Sequence, residues 1–234
     1  MLPASVERID ELVGDDALVL DVGGWASPLR RADWVIDLMP YETRGRYGHP
    51  APEAERFTSG TWVQRDICAR DPWPFDTGQF DFAVCSHTLE DVRDPVWVCS
   101  ELSRVARAGY VEIPSRLEEQ CFGVHGPWVG WSHHRWLIDL VEGELQFVHK
   151  PHMLCGRADF YLPAEVAGML TPEERVEALF WEGEVQASER VFVAAEECDT
   201  YMAEVVAAAR RRYPVGPASR ALSKLRRCGA RATR

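Results

Sequence analysis

Five short apolar runs, each ending at a polar residue or a glycine pair, constrain this chain more than any other feature. Residues 17–22 carry Asp21 and run into Gly23-Gly24; 33–38 carry Asp37; 61–67 end in Asp66-Ile67; 80–86 run through Ser86 into His87; 109–114 form the fifth. Before them, Val6, Ile9, Leu12 and Val13 recur at the spacing of one helix face and stop at Gly14-Asp15-Asp16. Residues 94–106 repeat that spacing with Val98, Leu102 and Val105. Short buried strands alternating with helices or crossover loops predict an α/β fold with a mainly parallel sheet, covered on both faces. Ligands of such sheets bind beyond the carboxyl ends of the strands, so the residues that close each run are expected on one rim.

That rim suits a nucleoside-bearing cofactor. Gly23 and Gly24 lack the Cβ atoms that would keep a ligand off the backbone. Asp37 can accept from two ribose hydroxyls, and Asp66 can receive an exocyclic amine with Ile67 against the ring face. Only sixteen positions separate Asp21 from Asp37, so the first crossover helix is expected to be nearly absent. A nicotinamide dehydrogenase would need G-x-G-x-x-G at the first turn, and Gly23-Gly24-Trp25-Ala26-Ser27-Pro28 does not supply it.

The stretches VLDVGGWASP, WVIDLMP, RDICARDPWPF, FDFAVCSHTLEDVRDP and GYVEIPSR together resemble the class I S-adenosylmethionine-dependent methyltransferases. The fourth is similar to the small-molecule branch, and the first loop is similar to a cell-surface-carbohydrate subgroup. The resemblance implies a seven-stranded, mainly parallel Rossmann-like sheet with a reversed last strand. It also implies S-adenosylmethionine as cofactor and methyl transfer. On that likeness Asp21, Gly23 and Gly24 line the methionine part, Asp37 the ribose, Asp66 and Ile67 the adenine, and Ser86 and His87 the passage toward the substrate.

Beyond the fifth run, 136–141 and 144–149 flank Glu142-Gly143 and predict a β-hairpin, read as an inserted cap within about 117–162. Helices over about 163–170, 172–178 and 197–212, with strands at 178–182 and 190–193, complete the pattern. Five of seven histidines, at 125, 133, 134, 149 and 152, fall within 28 positions, with Trp128, Trp131 and Trp136 among them. Tryptophans stack on flat sugar faces, and a neutral histidine can take a hydroxyl proton, so His133 and His134, then His87, are the candidate bases. In a strand His133 and His134 would point to opposite faces and could not easily share an ion, whereas His149-x-x-His152 could do so across a turn. Glu90, Asp91 and Asp94 are candidate Mg²⁺ ligands. Glu112, inside the fifth strand, needs a partner such as Arg116, or faces the site.

Charge divides the chain. Residues 205–234 hold nine Lys/Arg and no acid, which leaves 17 basic against 37 acidic side chains in 1–204. The body, read as one methyltransferase domain over 1–204, is thus not a nucleic-acid binder. The 205–234 segment is a basic helix or tail suited to an anionic membrane surface. Seven scattered cysteines with no C-x-x-C pair argue against a disulfide framework or thiolate zinc site. No apolar run is long enough to span a membrane and no signal-peptide pattern opens the chain, so a cytoplasmic location is expected. The expected activity is O-methylation of a small acceptor, best matched by a saccharide hydroxyl. The alternatives are a cofactor-binding module without turnover and Mg²⁺-assisted methylation of a non-sugar metabolite.

Overall fold

The computed structural model describes residues 1–45 and 54–214. Strands β1 (Val19–Val22), β2 (Trp34–Asp37), β3 (Trp62–Gln64), β4 (Phe80–Ser86) and β5 (Ala106–Pro114) pair in parallel in the order β3-β2-β1-β4-β5, and β8 (Val176–Glu182) closes the edge beside β5. Gly183 after β8 donates its N–H to the carbonyl of Arg107 near the start of β5, so this last strand runs antiparallel. The sheet is therefore mainly parallel with a reversed edge. It has six strands among the described residues, not the seven expected.

The chain divides into two compact units with interleaved bounds, which differ from a 1–204 body with a 117–162 cap. The first comprises Met1–Ile113, Leu140–Gln146 and Ala178–Glu189; the second comprises Pro114–Asp139, Phe147–Glu177 and the described residues from Arg190 on. In the first unit, α1 (Pro3–Leu12) buries Ile9 in a cluster with Val19, Val35, Phe82, Val84 and Tyr110. Between β1 and β2 stands only a 3₁₀ turn, Gly24–Ala26, as the short spacing required. Aromatic packing covers this face where a crossover helix would otherwise lie. Tyr41 meets Phe57 and Trp62 edge to face, those two meet each other tilted, and Arg44 lies 3.7 Å over the Tyr41 ring while pairing with Glu55. Helix α2 (Pro95–Val105) begins where Asp94 accepts from the Trp97 N–H, and it buries Val98, Leu102 and Val105.

In the second unit, Gln120, just after the short helix α3 (Arg116–Glu119), accepts from Arg116 and donates to the carbonyls of Phe160 and Met202. Arg116 also grips both Asp139 oxygens at 3.0 Å, so it is not the partner of Glu112. Every polar group in this buried knot has a partner, which makes it a specific lock rather than a penalty. Phe122, Leu137, Phe160, Tyr161 and Met202 pack into one apolar cluster; Cys121, Leu162, Val166 and Val206, the last from α5 (Ala195–Arg212), form another.

The hairpin of β6 (Trp136–Val141) and β7 (Glu144–His149) has the expected bounds, and Glu142 and Gly143 both adopt positive φ in its two-residue turn. These strands form a second sheet with β9 (Ala187–Glu189). The strand expected at 190–193 is absent; Val191 and Val193 are exposed and β9 pairs just before them. The expected helices near 163–178 shrink to α4 (Ala164–Ala167) and a 3₁₀ turn at Glu173–Arg175. The basic segment's first part lies in α5, and 215–234 lie outside the described residues. No helix among the described residues is long and apolar enough to cross a membrane.

Candidate functional site

Asp21 and Asp37 both stand near the carboxyl ends of their strands, and both are buried. They hold the connecting loop at its two ends: Asp37 Oδ2 accepts from the Trp25 N–H at 3.0 Å, and Asp21 Oδ2 from the Leu29 N–H at 2.8 Å. Asp37 Oδ1 accepts from the Met39 N–H at 2.7 Å. Burial pushes the Asp21 carboxyl up to about 7, the Leu29 N–H partly offsetting it and the Asp37 charge adding to it. Burial raises Asp37 as well, against its backbone donors.

The two glycines serve the protein's own packing. A Cβ on Gly24 would stand 2.2 Å from Asp21 Oδ2, and one on Gly23, at φ 75°, 2.2 Å from Thr88 Oγ1. Thr88, which the sequence reading passed over, donates toward the Val22 and Gly23 carbonyls at 3.4 Å. Also unanticipated are the residues after Asp37: Leu38 is 62% exposed and Met39 36%. Two bared apolar side chains directly after a strand-end acid offer a surface to a flat ring beside a hydroxyl acceptor.

Asp66 lies two residues beyond β3, which ends at Gln64 rather than continuing to Ile67. Its Oδ1 accepts from the Cys68 N–H at 2.9 Å, closing a tight turn, and Oδ2 pairs with Arg93 at 2.6 Å. Despite some burial, Arg93 and the Cys68 N–H hold its carboxyl below the usual range. Ile67 is buried, and its carbonyl accepts from Trp73 Nε1.

The β4 terminus carries an ionic knot. His87 has a positive φ of 53°, unusual outside glycine, which turns its ring back toward Glu112 Oε1 at 3.1 Å and Glu90 Oε1 at 3.5 Å. Glu112 also accepts from Tyr110 at 2.6 Å, two residues back on the same strand face, from the Leu2 N–H at 2.9 Å and from Ser86 at 3.3 Å. Burial opposes charge on both groups and is outweighed: the Glu112 and Glu90 carboxylates hold His87 up at about 9, while His87, Tyr110 and Leu2 hold Glu112 down at about 2. An imidazole held between two carboxylates keeps its proton at neutral pH and is poorly suited to take another, which counts against His87 as a base. Glu90, Asp91 and Asp94 do not gather into a ligand set among the described residues. Glu90 faces His87, and Asp94 caps α2 and pairs with Arg70, so the Mg²⁺ expectation has no support here.

The second unit brings the expected histidines and one tryptophan together. Trp131 stacks on His125 and on His134, with ring centres 5.5 and 5.8 Å away, and His133 stands edge-on to all three. Trp128 is exposed nearby in sequence, whereas Trp136 is buried against Phe147 and His149, which removes it as a stacking surface. His149 and His152 stay outside the ring cluster. Beneath the cluster lies a residue to which sequence gave no role: Glu119, 1% exposed, takes His134 Nδ1 on Oε1 and Lys150 Nζ on Oε2, both at 2.6 Å. Burial alone would raise Glu119; His134 and Lys150 more than offset it and hold it low. Lys150 also donates to the Trp131 carbonyl. Gly130, at φ 60°, lets this loop lie on Glu119, since a Cβ there would stand 2.4 Å from the Glu119 carbonyl.

Sheet order, reversed edge and strand-end carboxylates define an α/β protein with a carboxylate-bearing rim at the ends of its parallel strands. Residues 46–111, running into β5, match the family model described as a methyltransferase domain. No curated protein matches the chain. Among solved structures, one described as a complex between the Haloferax volcanii Trm112 methyltransferase activator and the putative methyltransferase is 12% identical, covering 81% of this chain and 89% of that one with a TM-score of 0.44. An S-adenosylmethionine-dependent methyltransferase from Mesorhizobium loti is 16% identical over 63% of each chain, TM-score 0.36. The YcgJ protein from Bacillus subtilis is 16% identical over 48% of this chain and 49% of that one, TM-score 0.36. The chain spans about half the length of the first solved structures it matches.

Proposed function

We propose that this chain is an S-adenosylmethionine-dependent O-methyltransferase acting on a small acceptor, a saccharide hydroxyl above all. The observation that carries the reading is the Asp37–Leu38–Met39 edge at the end of β2, within a chain whose 46–111 segment matches a methyltransferase domain. The cofactor fits there: each Asp37 oxygen accepts one backbone N–H and keeps acceptor capacity for a ribose hydroxyl, while Leu38 and Met39 bare apolar surface for the adenine. Asp66 fits the adenine amine less well, because Arg93 and Cys68 already engage both its oxygens. When bound, S-adenosylmethionine supplies a methyl carbon on a sulfonium. Asp21 would offset that positive charge, and its high pKa marks a carboxylate that a nearby cation would ionise more fully.

The saccharide part draws on the Trp131 ring, a stacking face for a sugar, with His133 and His134 in contact with it to remove the hydroxyl proton. The test is transfer of labelled methyl from S-adenosylmethionine to a panel of sugars and non-sugar alcohols, with calorimetry of cofactor binding alongside. Binding with transfer to a sugar supports the whole reading. Transfer only to non-sugars removes the saccharide, and binding without any transfer leaves a cofactor-binding module.

A further inference from the structure

The expectation that His133 and His134 cannot share an ion rested on their lying in a strand, and they do not: both precede β6, His133 in a turn and His134 just after it. Their rings stand 4.7 Å apart, centre to centre, at 82°. Two imidazoles on one tetrahedral ion, each bound through nitrogen at ~2.1 Å, hold their ring centres ~5 Å apart. Their ligand nitrogens already lie within 4.8 Å of each other, so a modest side-chain rotation closes the gap.

The outer partners fit as well. Glu119 Oε1 lies 2.6 Å from His134 Nδ1 while its Oε2 accepts from Lys150, so His134 presents Nδ1–H to the carboxyl and carries its lone pair on Nε2. A carboxylate on the far nitrogen is the arrangement that orients metal-bound histidines and raises their basicity. Glu119 is fixed in turn by Lys150, and the loop is seated on it through Gly130.

We infer that His133 and His134 form a binding site for one divalent first-row transition-metal ion of the Zn²⁺, Co²⁺ or Ni²⁺ class, with Glu119 as the carboxylate that orients His134. Imidazole donors select these ions over Mg²⁺. The site stands without the methyltransferase reading, and it deepens that reading in one respect, which rests on it. An imidazole whose lone pair is on a metal cannot also take a proton. With the ion present, an acceptor hydroxyl near the cluster would lose its proton to metal-bound hydroxide, giving water.

The experiment is titration of untagged full-length protein with Co²⁺, followed by the visible absorption of the bound ion. One equivalent is expected, without the near-ultraviolet band of thiolate ligation. Binding should be lost in His133→Ala and in His134→Ala, be weakened about 10–100-fold in Glu119→Gln, and be unchanged in His149→Ala, each variant being checked for folding by circular dichroism. Absence of stoichiometric binding in the wild type, or equal binding in folded His133→Ala and His134→Ala, overturns the site. Cofactor calorimetry on the same protein separates that failure from failure of the methyltransferase reading, since it does not involve the histidines.

Discussion

Replacing Asp21 by Asn should make the protein more stable at alkaline pH and less stable at acid pH, where only the cost of the new amide remains. The native carboxyl is raised from 3.8 to about 7, so between those values the folded state holds a proton that the unfolded state has released. Stability contributed by this group therefore falls as pH rises through that window and is lowest above it. A shift of about 3 units corresponds to about 4 kcal/mol at the alkaline end, an upper bound for so buried a group. Asparagine keeps the acceptor for the Leu29 N–H and removes the charge, but it adds an amide N–H₂ that needs a partner and takes back about 1–3 kcal/mol. The net gain at pH 8 should be about 2 kcal/mol. Its change between pH 4 and pH 8 should approach the full 4 kcal/mol, because the amide's own contribution does not titrate. Urea unfolding of both proteins at half-unit pH steps, read by tryptophan fluorescence, gives the two curves. If they run parallel from pH 4 to 8, Asp21 is not held protonated and the account of its burial fails.

Asp37→Asn should weaken S-adenosylmethionine by about 10–100-fold in calorimetry, as expected for losing a charged hydrogen bond, while the melting curve stays cooperative. Gly24→Ala should lower the melting temperature even without ligand, because its Cβ meets the Asp21 carboxylate rather than open space. His87→Gly should be more stable than His87→Ala by about 1 kcal/mol in urea unfolding, since both lose the ion pair but only alanine is strained at positive φ. In the wild type the His87–Glu112 contribution should be complete between about pH 4.5 and 6.5, fading as pH rises toward 9 or falls toward 2. Removing residues 215–234 should leave turnover on a soluble acceptor intact and abolish any salt-sensitive sedimentation with anionic vesicles.

What could be read from sequence was local. Strand β4 and the β6–β7 hairpin matched residue for residue, because an unbroken apolar run and a two-residue Glu-Gly turn leave little choice of register. Strand β3 is shorter than its apolar pattern because Asp66 folds back onto the Cys68 N–H and ends it. Arg190-Val191-Phe192-Val193 has strong β propensity but no strand, while the weaker Ala187-Ser188-Glu189 is one, since a pairing edge decides and not composition. The strand-end acids were visible as positions, but their partners were not. That Glu112 meets His87, or Glu119 meets Lys150, depends on chain segments 25 and 31 positions apart, a separation no spacing rule reaches.

The interleaving of the two units determines how the protein can be taken apart. The chain passes from one unit to the other five times, so no single cut releases either unit whole. A fragment ending at Ile113 would keep the carboxylate rim but lose β8, baring the edge of β5 to any other strand. Excising the second unit would leave three separate segments of the first to be rejoined at two junctions. Shortened forms meant to isolate cofactor binding should therefore aggregate, and point substitution in the full chain is the route by which the two sets of residues can be assigned.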